Sequence, residues 1–140
     1  FEFQNEIGKK EFLVFGSNYI LIEFPFIEAP KNMEDIIFKL QLQGYNVVLA
    51  HPERYLYYTI KDYKKLVSKG VFLQLNLLSI TGYYSPEVKK QSATLIKENL
   101  ISFVGTDCHN MRHAEELKRC FTNPLWHQLL DSGKLLNSNL

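Results

Sequence analysis

Short apolar runs alternate along this chain with longer stretches whose apolar residues recur every three or four positions, and that alternation leaves few architectures open. The runs are Tyr19 to Phe24, Val47 to Ala50, Val71 to Leu75 and Ile101 to Val104. Strand-like runs separated by helical segments are the mark of parallel β/α units, and they argue against a helix bundle or a β-sandwich. Between the first two runs, Pro30 and Asn32 precede acidic Glu34 and Asp35. Ile36, Ile37, Leu40 and Leu42 then form a helical stripe that ends at Gly44. A second helix is predicted from about Ile60 to Lys69, stopped by Gly70, and a third from about Ser85 to Asn99 with Pro86 in its first turn. After the fourth run, Gly105 leads into a loop and C-terminal helices, the last with Leu125, Trp126, Leu129 and Leu130 on one face. Phe12 to Phe15 reads as a short strand ahead of a turn at Gly16, Ser17 and Asn18.

Composition narrows the function classes. The 140 residues suffice for one domain with a core, and 46% hydrophobic with 22% charged residues is an ordinary globular balance. Sixteen Lys and Arg offset 15 Asp and Glu, and a formal net charge of +1 offers no general attraction to nucleic acid or an anionic membrane. Any phosphate recognition must therefore be local. No apolar run approaches the roughly 18 residues of a spanning helix, so membrane insertion is not expected. Two cysteines, Cys108 and Cys120, are too few for a disulfide framework, which makes a reducing cytoplasm the simplest location.

Laying the polar residues over the predicted strands singles out Glu23, His51, Asn76 and Asp107, each at or just beyond a strand's C-terminal end and separated by 28, 25 and 31 residues. One β/α unit has about that length, so these side chains are expected on one face of a parallel sheet or barrel, where such folds place chemistry. Glu23 interrupts an apolar run, and a carboxylate beside a buried strand needs a cation, hydrogen bonds, a lysine or an outward-facing edge. His51 opens His-Pro-Glu-Arg in a turn stiffened by Pro52, and it serves either as a ligand or as a turn residue. Arg54 offers a guanidinium fork to a phosphate oxygen, or pairs with Glu53. Asp107 and His109, in Gly-Thr-Asp-Cys-His-Asn, are two metal-ligand types that converge from one loop. Gln74 and Asn76 share a strand face and supply either outer hydrogen bonds to ligands or partners for interior backbone groups. Tyr55, Tyr57 and Tyr58 offer an aromatic rim, while His113 and His127 fall outside any ligand pattern.

Leu-Ile-Glu-Phe, Leu-Ala-His-Pro-Glu-Arg-Tyr, Gln-Leu-Asn-Leu-Leu-Ser and Gly-Thr-Asp-Cys-His-Asn follow one another in this order. Together they resemble the capsule-type protein tyrosine phosphatases of the polymerase-and-histidinol-phosphatase (PHP) family, over nearly the whole chain from about Phe12. The resemblance implies an α/β fold, the C-terminal part of a distorted seven-stranded PHP barrel, with two or three manganese or iron ions at the strand ends. Glu23 would bridge metals, and His51, Asp107 and His109 would be terminal ligands. Arg54 would bind the phosphoryl group, with Arg112 the nearest match to a second arginine after the Asp-x-His loop. The implied partner is a phosphotyrosine protein, a bacterial tyrosine autokinase of capsule or exopolysaccharide production. One departure is large: the family opens with a His-x-His ligand pair, and none occurs in these residues. A barrel of this type needs roughly 200 residues or more, so residues 1–140 are expected to be a single incomplete domain lacking about 100 residues of N-terminal strands. Such a fragment is expected to be inactive alone and, through exposed strand edges, prone to self-association.

The expected reaction is phosphomonoester hydrolysis, with water activated at a metal, a step that lowers its pKa from about 15.7 toward about 7. A cysteine-dependent route requires Cys, five residues and Arg. Six positions after Cys108 stands Ala114, and six after Cys120 stands Trp126. The remaining alternatives are a small phosphate ester as substrate, or a non-catalytic binding module.

Overall fold

The computed structural model describes residues 13–15, 18–106, 111–132 and 135–136. Its strands are β1 (Leu13–Phe15), β2 (Tyr19–Ile22), β3 (Asn46–Ala50), β4 (Phe72–Asn76) and β5 (Phe103–Gly105). The helices are α1 (Met33–Leu42), α2 (Ile60–Ser68), α3 (Pro86–Lys97), α4 (Met111–Cys120) and α5 (Pro124–Asp131), with 3₁₀ turns at Pro52–Arg54 and Leu77–Thr81.

One junction is built three times. After α1, the Gly44 N–H bonds to the Gln41 carbonyl and the Tyr45 N–H reaches back to Leu40, which satisfies carbonyls the helix end would leave open. After α2, Gly70 and Val71 repeat this on Val67 and Leu66. After α3, Asn99 and Leu100 repeat it on Ile96 and Leu95. The pivot residue has φ of 92° at Gly44, 90° at Gly70 and 57° at Asn99, a left-handed backbone that glycine enters freely and asparagine tolerates. Each junction delivers the chain directly into the next strand. At the other ends, Thr59 and Asp62 form a reciprocal capping box on α2, and the Ser85 hydroxyl accepts from the Val88 N–H ahead of Pro86 on α3. Asn32 stands at the start of α1 without a side-chain cap, where Glu34 and Asp35 meet the helix dipole instead.

The sheet runs in chain order, β1-β2-β3-β4-β5, with β2 through β5 parallel. The predicted parallel β/α arrangement is thus observed, with one addition: β1 pairs antiparallel to β2, Leu13 opposite Leu21. β2 ends at Ile22, short of the predicted Phe24, because the Phe24 N–H leaves the ladder for the Tyr55 hydroxyl, 2.9 Å away. Crossovers that each step one strand in the same direction place their helices on a single side of the sheet. On that side Ile20, Ile22, Leu49, Leu73 and Leu75 pack against Ile36, Leu40, Tyr63, Leu66, Leu95 and Ile96 in one core. In α3, Ser92 faces inward, its hydroxyl donating to the Val88 carbonyl at 2.9 Å. Among the described residues no helix is long and apolar enough to cross a membrane.

The opposite face is concave. Tyr19 on β2 and Phe103 on β5 stand three strands apart, which is about 14 Å in a flat sheet, yet their ring centroids lie 5.4 Å apart. Phe72 on β4 meets both rings edge-on, at 5.9 and 6.0 Å. Such convergence requires the sheet to curl around these side chains.

Candidate active site

At the C-terminal ends of the strands, on this concave face, Leu21, Glu23, Ala50, His51, Gln74, Asn76, Gly105 and Thr106 line a cavity of about 350 Å³. A larger groove of about 710 Å³, lined by Phe38, Gln41, Leu66 and Lys69, lies on the helical side, away from the strand ends. Glu23, His51 and Asn76 thus gather at one mouth, and Gln74 shares it, as period-two alternation along β4 requires.

The His51 Nε2 lies 2.7 Å from Glu23 Oε1. His51 reaches this position through an unusual backbone: φ 34°, ψ 59°, left-handed, immediately before a proline. A non-glycine residue there stores strain that its surroundings must hold. They do so through the His51 N–H, which bonds the Gln74 carbonyl at 2.8 Å, and through the rings of Phe26 and Tyr55, at 5.4 and 5.5 Å from the imidazole. Two buried tyrosines pin the same turn: Tyr63 donates to the Pro52 carbonyl, and Tyr55 accepts from Phe24. Burial raises the pKa of both hydroxyls well above the ordinary phenol range, so they act as fixed hydrogen-bonding groups rather than acids.

Glu53, which sequence reasoning treated only as a partner for Arg54, is fully buried and turned away from that arginine's chemistry. Its Oε2 accepts from the Ser79 hydroxyl at 2.6 Å and from the Asn76 N–H at 3.1 Å, tying the His51 turn to the end of β4. Burial pushes its pKa up to about 7 against the lowering effect of these hydrogen bonds. The available cue was a glutamate directly after Pro52 in a turn leaving a buried strand; its partners come from the end of β4 and the 3₁₀ turn that follows it, and are invisible locally.

Arg54 has its guanidinium carbon 4.5 Å from the Phe26 ring centroid and 4.4 Å from that of Tyr84. Among the described residues it makes no ion pair with a carboxylate. The aromatic rim expected from Tyr55, Tyr57 and Tyr58 is corrected accordingly: Tyr55 is fully buried, and the Tyr57 hydroxyl is spent on the Pro25 carbonyl at 2.8 Å. Phe26 and Tyr84 are the rings that meet Arg54.

Asp107 and His109 lie outside the described residues, as do Cys108 and the side chain of Arg112, which belongs to α4. Among the described residues no three His, Cys, Asp or Glu side chains converge. Glu23 and His51 nonetheless fit a divalent cation: a carboxylate oxygen and an imidazole nitrogen are pressed together beside a polar cavity, and the buried His51 Nδ1 has no partner among the described residues.

Comparison with known proteins places the chain in a family. The family model for capsular polysaccharide synthesis, CpsB/CapC, matches residues 2–124. The tyrosine-protein phosphatase YwqE of Bacillus subtilis is 34% identical, the alignment covering 99% of this chain and 59% of that protein. CapC of Staphylococcus aureus is 30% identical, over 88% of this chain and 52% of its own length. A crystal structure from work on YwqE of Bacillus subtilis and CpsB of Streptococcus pneumoniae, described as metal-dependent tyrosine phosphatases, superposes with a TM-score of 0.66 at 35% identity. It covers 82% of this chain and 51% of the other. The chain thus spans little more than half the length of these relatives. By its match to the family model, its identity to these relatives and its fold, it belongs to the CpsB/CapC family of capsular polysaccharide synthesis.

Proposed function

We propose that this chain is the C-terminal part of a metal-dependent protein tyrosine phosphatase, acting on a phosphotyrosine protein such as a bacterial tyrosine autokinase of capsule or exopolysaccharide synthesis. The observation that carries the reading is the pairing of Glu23 with His51 at adjacent strand ends, beside an arginine that has no carboxylate partner among the described residues. In this reading Glu23, His51, Asp107 and His109 hold manganese or iron, two or three ions in the whole protein. Bound there, such ions supply Lewis acidity toward the phosphoryl oxygens and toward water.

The chain's own groups do the rest. Arg54 presents its N–H donors to the phosphoryl oxygens, where charge builds during transfer to water, and Arg112 adds a second cation from α4. The left-handed His51 turn holds the imidazole toward Glu23, and Gln74 and Asn76 supply polar contacts within the cavity. The curled sheet supports closure into a seven-stranded barrel, with residues 1–140 as one incomplete domain and the remaining strands coming from a further segment. In this reading the protein acts in the cytoplasm, a location in keeping with its two cysteines.

The deciding experiment assays the full-length protein, with manganese and after chelation, on phosphotyrosine peptides and on small alkyl phosphates. Metal-dependent release of phosphate from the peptides is expected. Activity confined to alkyl phosphates would replace the substrate, and none on either would leave a binding module.

A further inference from the structure

We infer that Phe26 and Tyr84 are positioning residues for Arg54, setting the plane of its guanidinium so that its N–H rim faces an anion at the cavity mouth. The inference rests on the phosphatase reading for the identity of that anion. A guanidinium is a flat cation with two weakly hydrated faces and five N–H donors around its edge. The Arg54 guanidinium carbon stands over both rings, 4.5 and 4.4 Å from their centroids, and rings stacked on its faces would leave the edge for hydrogen bonds. An arginine with no carboxylate partner among the described residues would otherwise sample many rotamers, and its fork would be aimed only part of the time.

Neither ring is placed at random. Phe26 also lies 5.4 Å from the His51 ring, so one side chain sets the spacing between imidazole and guanidinium. The Tyr84 hydroxyl accepts from Asn76 Nδ2 at 3.2 Å. Asn76 is itself fixed: its N–H bonds Glu53 at 3.1 Å, and its Oδ1 accepts from the Leu78 N–H at 3.1 Å. The orientation of Arg54 is therefore controlled from the end of β4, through Asn76 and Tyr84, and from the β2 side through Phe26. Its own short 3₁₀ turn contributes little.

The test uses the full-length, manganese-loaded protein with Phe26→Leu, Tyr84→Leu, Tyr84→Phe, Phe26→Tyr and Arg54→Ala, alone and combined. The measurements are kcat and KM for p-nitrophenyl phosphate and calorimetric affinity for inorganic phosphate. Phe26→Leu and Tyr84→Leu are expected to weaken phosphate binding and raise KM roughly 3- to 10-fold, with bound metal unchanged. Phe26→Tyr, which keeps a ring at a position 48% exposed, should restore both values, and Tyr84→Phe should fall between. In the Arg54→Ala background the leucine substitutions should add nothing, which a general structural effect would not reproduce. Unchanged KM and phosphate affinity in the leucine variants, or equal losses with and without Arg54, would overturn the inference while leaving phosphatase activity in place. If the parent hydrolyses no phosphate ester, the functional reading fails, and the phosphate titrations still decide: coupling to Arg54 supports the inference, and no phosphate binding overturns it.

Discussion

His51 Nε2 and Glu23 Oε1 lie 2.7 Å apart across the ends of two neighbouring parallel strands. If the pair is half of a metal site, His51→Ala and Glu23→Gln in the full-length protein should each reduce hydrolysis by roughly 100-fold or more, with bound manganese falling in parallel. Losing only an outer hydrogen-bond partner of a ligand typically costs about 10- to 100-fold. Elemental analysis with activity assays checks this, and full metal content in both variants would remove the pair from the site. The backbone offers a separate readout. His51 sits at φ 34°, so His51→Gly should be more stable than His51→Ala by about 1 kcal/mol despite glycine's entropy.

Glu53 is the structural counterpart of that pair. Removing its carboxylate strands the Ser79 hydroxyl and the Asn76 N–H in a dry interior and opens a cavity. Glu53→Ala is expected to cost about 2–4 kcal/mol. Glu53→Gln, which keeps an acceptor oxygen, should cost less than half as much. Chemical denaturation of the three proteins gives the order, and equal stability of wild type and the alanine variant would contradict it.

These two residues also mark what the sequence discloses. Strand ends could be counted because each β/α unit repeats a length and each helix stops at a residue able to turn left-handed: Gly44, Gly70 and, with the same hydrogen bonds, Asn99. Glu23, His51 and Asn76 fell out of that count. The direction of β1 did not, because three apolar residues carry no sign of parallel or antiparallel pairing. Nor did the partners of Glu53 and Arg54, which arrive from the end of β4, from the 3₁₀ turn after it, from the loop before α1 and from the segment before α3. Local pattern reports which face a side chain takes, and only the curl of the sheet reports whom it meets there.

Cys120 tests the rejection of thiol chemistry. Its thiol is buried, donates to the Leu77 carbonyl at 3.1 Å, and is pushed up to a pKa of about 11 by burial. At pH 8 only on the order of one molecule in 1,000 would hold a thiolate. Iodoacetamide should therefore spare Cys120 in the folded protein and modify it readily in urea, as mass spectrometry would show. Cys120→Ser should keep its hydrolytic activity. Because the folded state holds this proton more tightly than the unfolded chain, the contribution to stability is present below about pH 9 and is lost as pH rises through about 11.

Gly105 closes the cavity wall opposite His51, and its role is spatial. A Cβ there would stand 2.5 Å from Gln74 Nε2 and 3.2 Å from Gln74 Cδ, too close for either to remain. The obstacle is the end of a flexible side chain rather than backbone, so Gly105→Ala should cost only about 1 kcal/mol while displacing the Gln74 amide from its place beside the candidate ligands. The full-length Gly105→Ala protein is thus expected to lose more in hydrolysis than in stability. The double variant with Gln74→Ala should recover the stability, because the clash is gone, without recovering the activity, because the amide is gone too. Thermal melts paired with kinetics on the parent protein and the two variants decide the matter. Recovery of activity in the double variant would show that Gln74 only fills space and that its amide takes no part in hydrolysis.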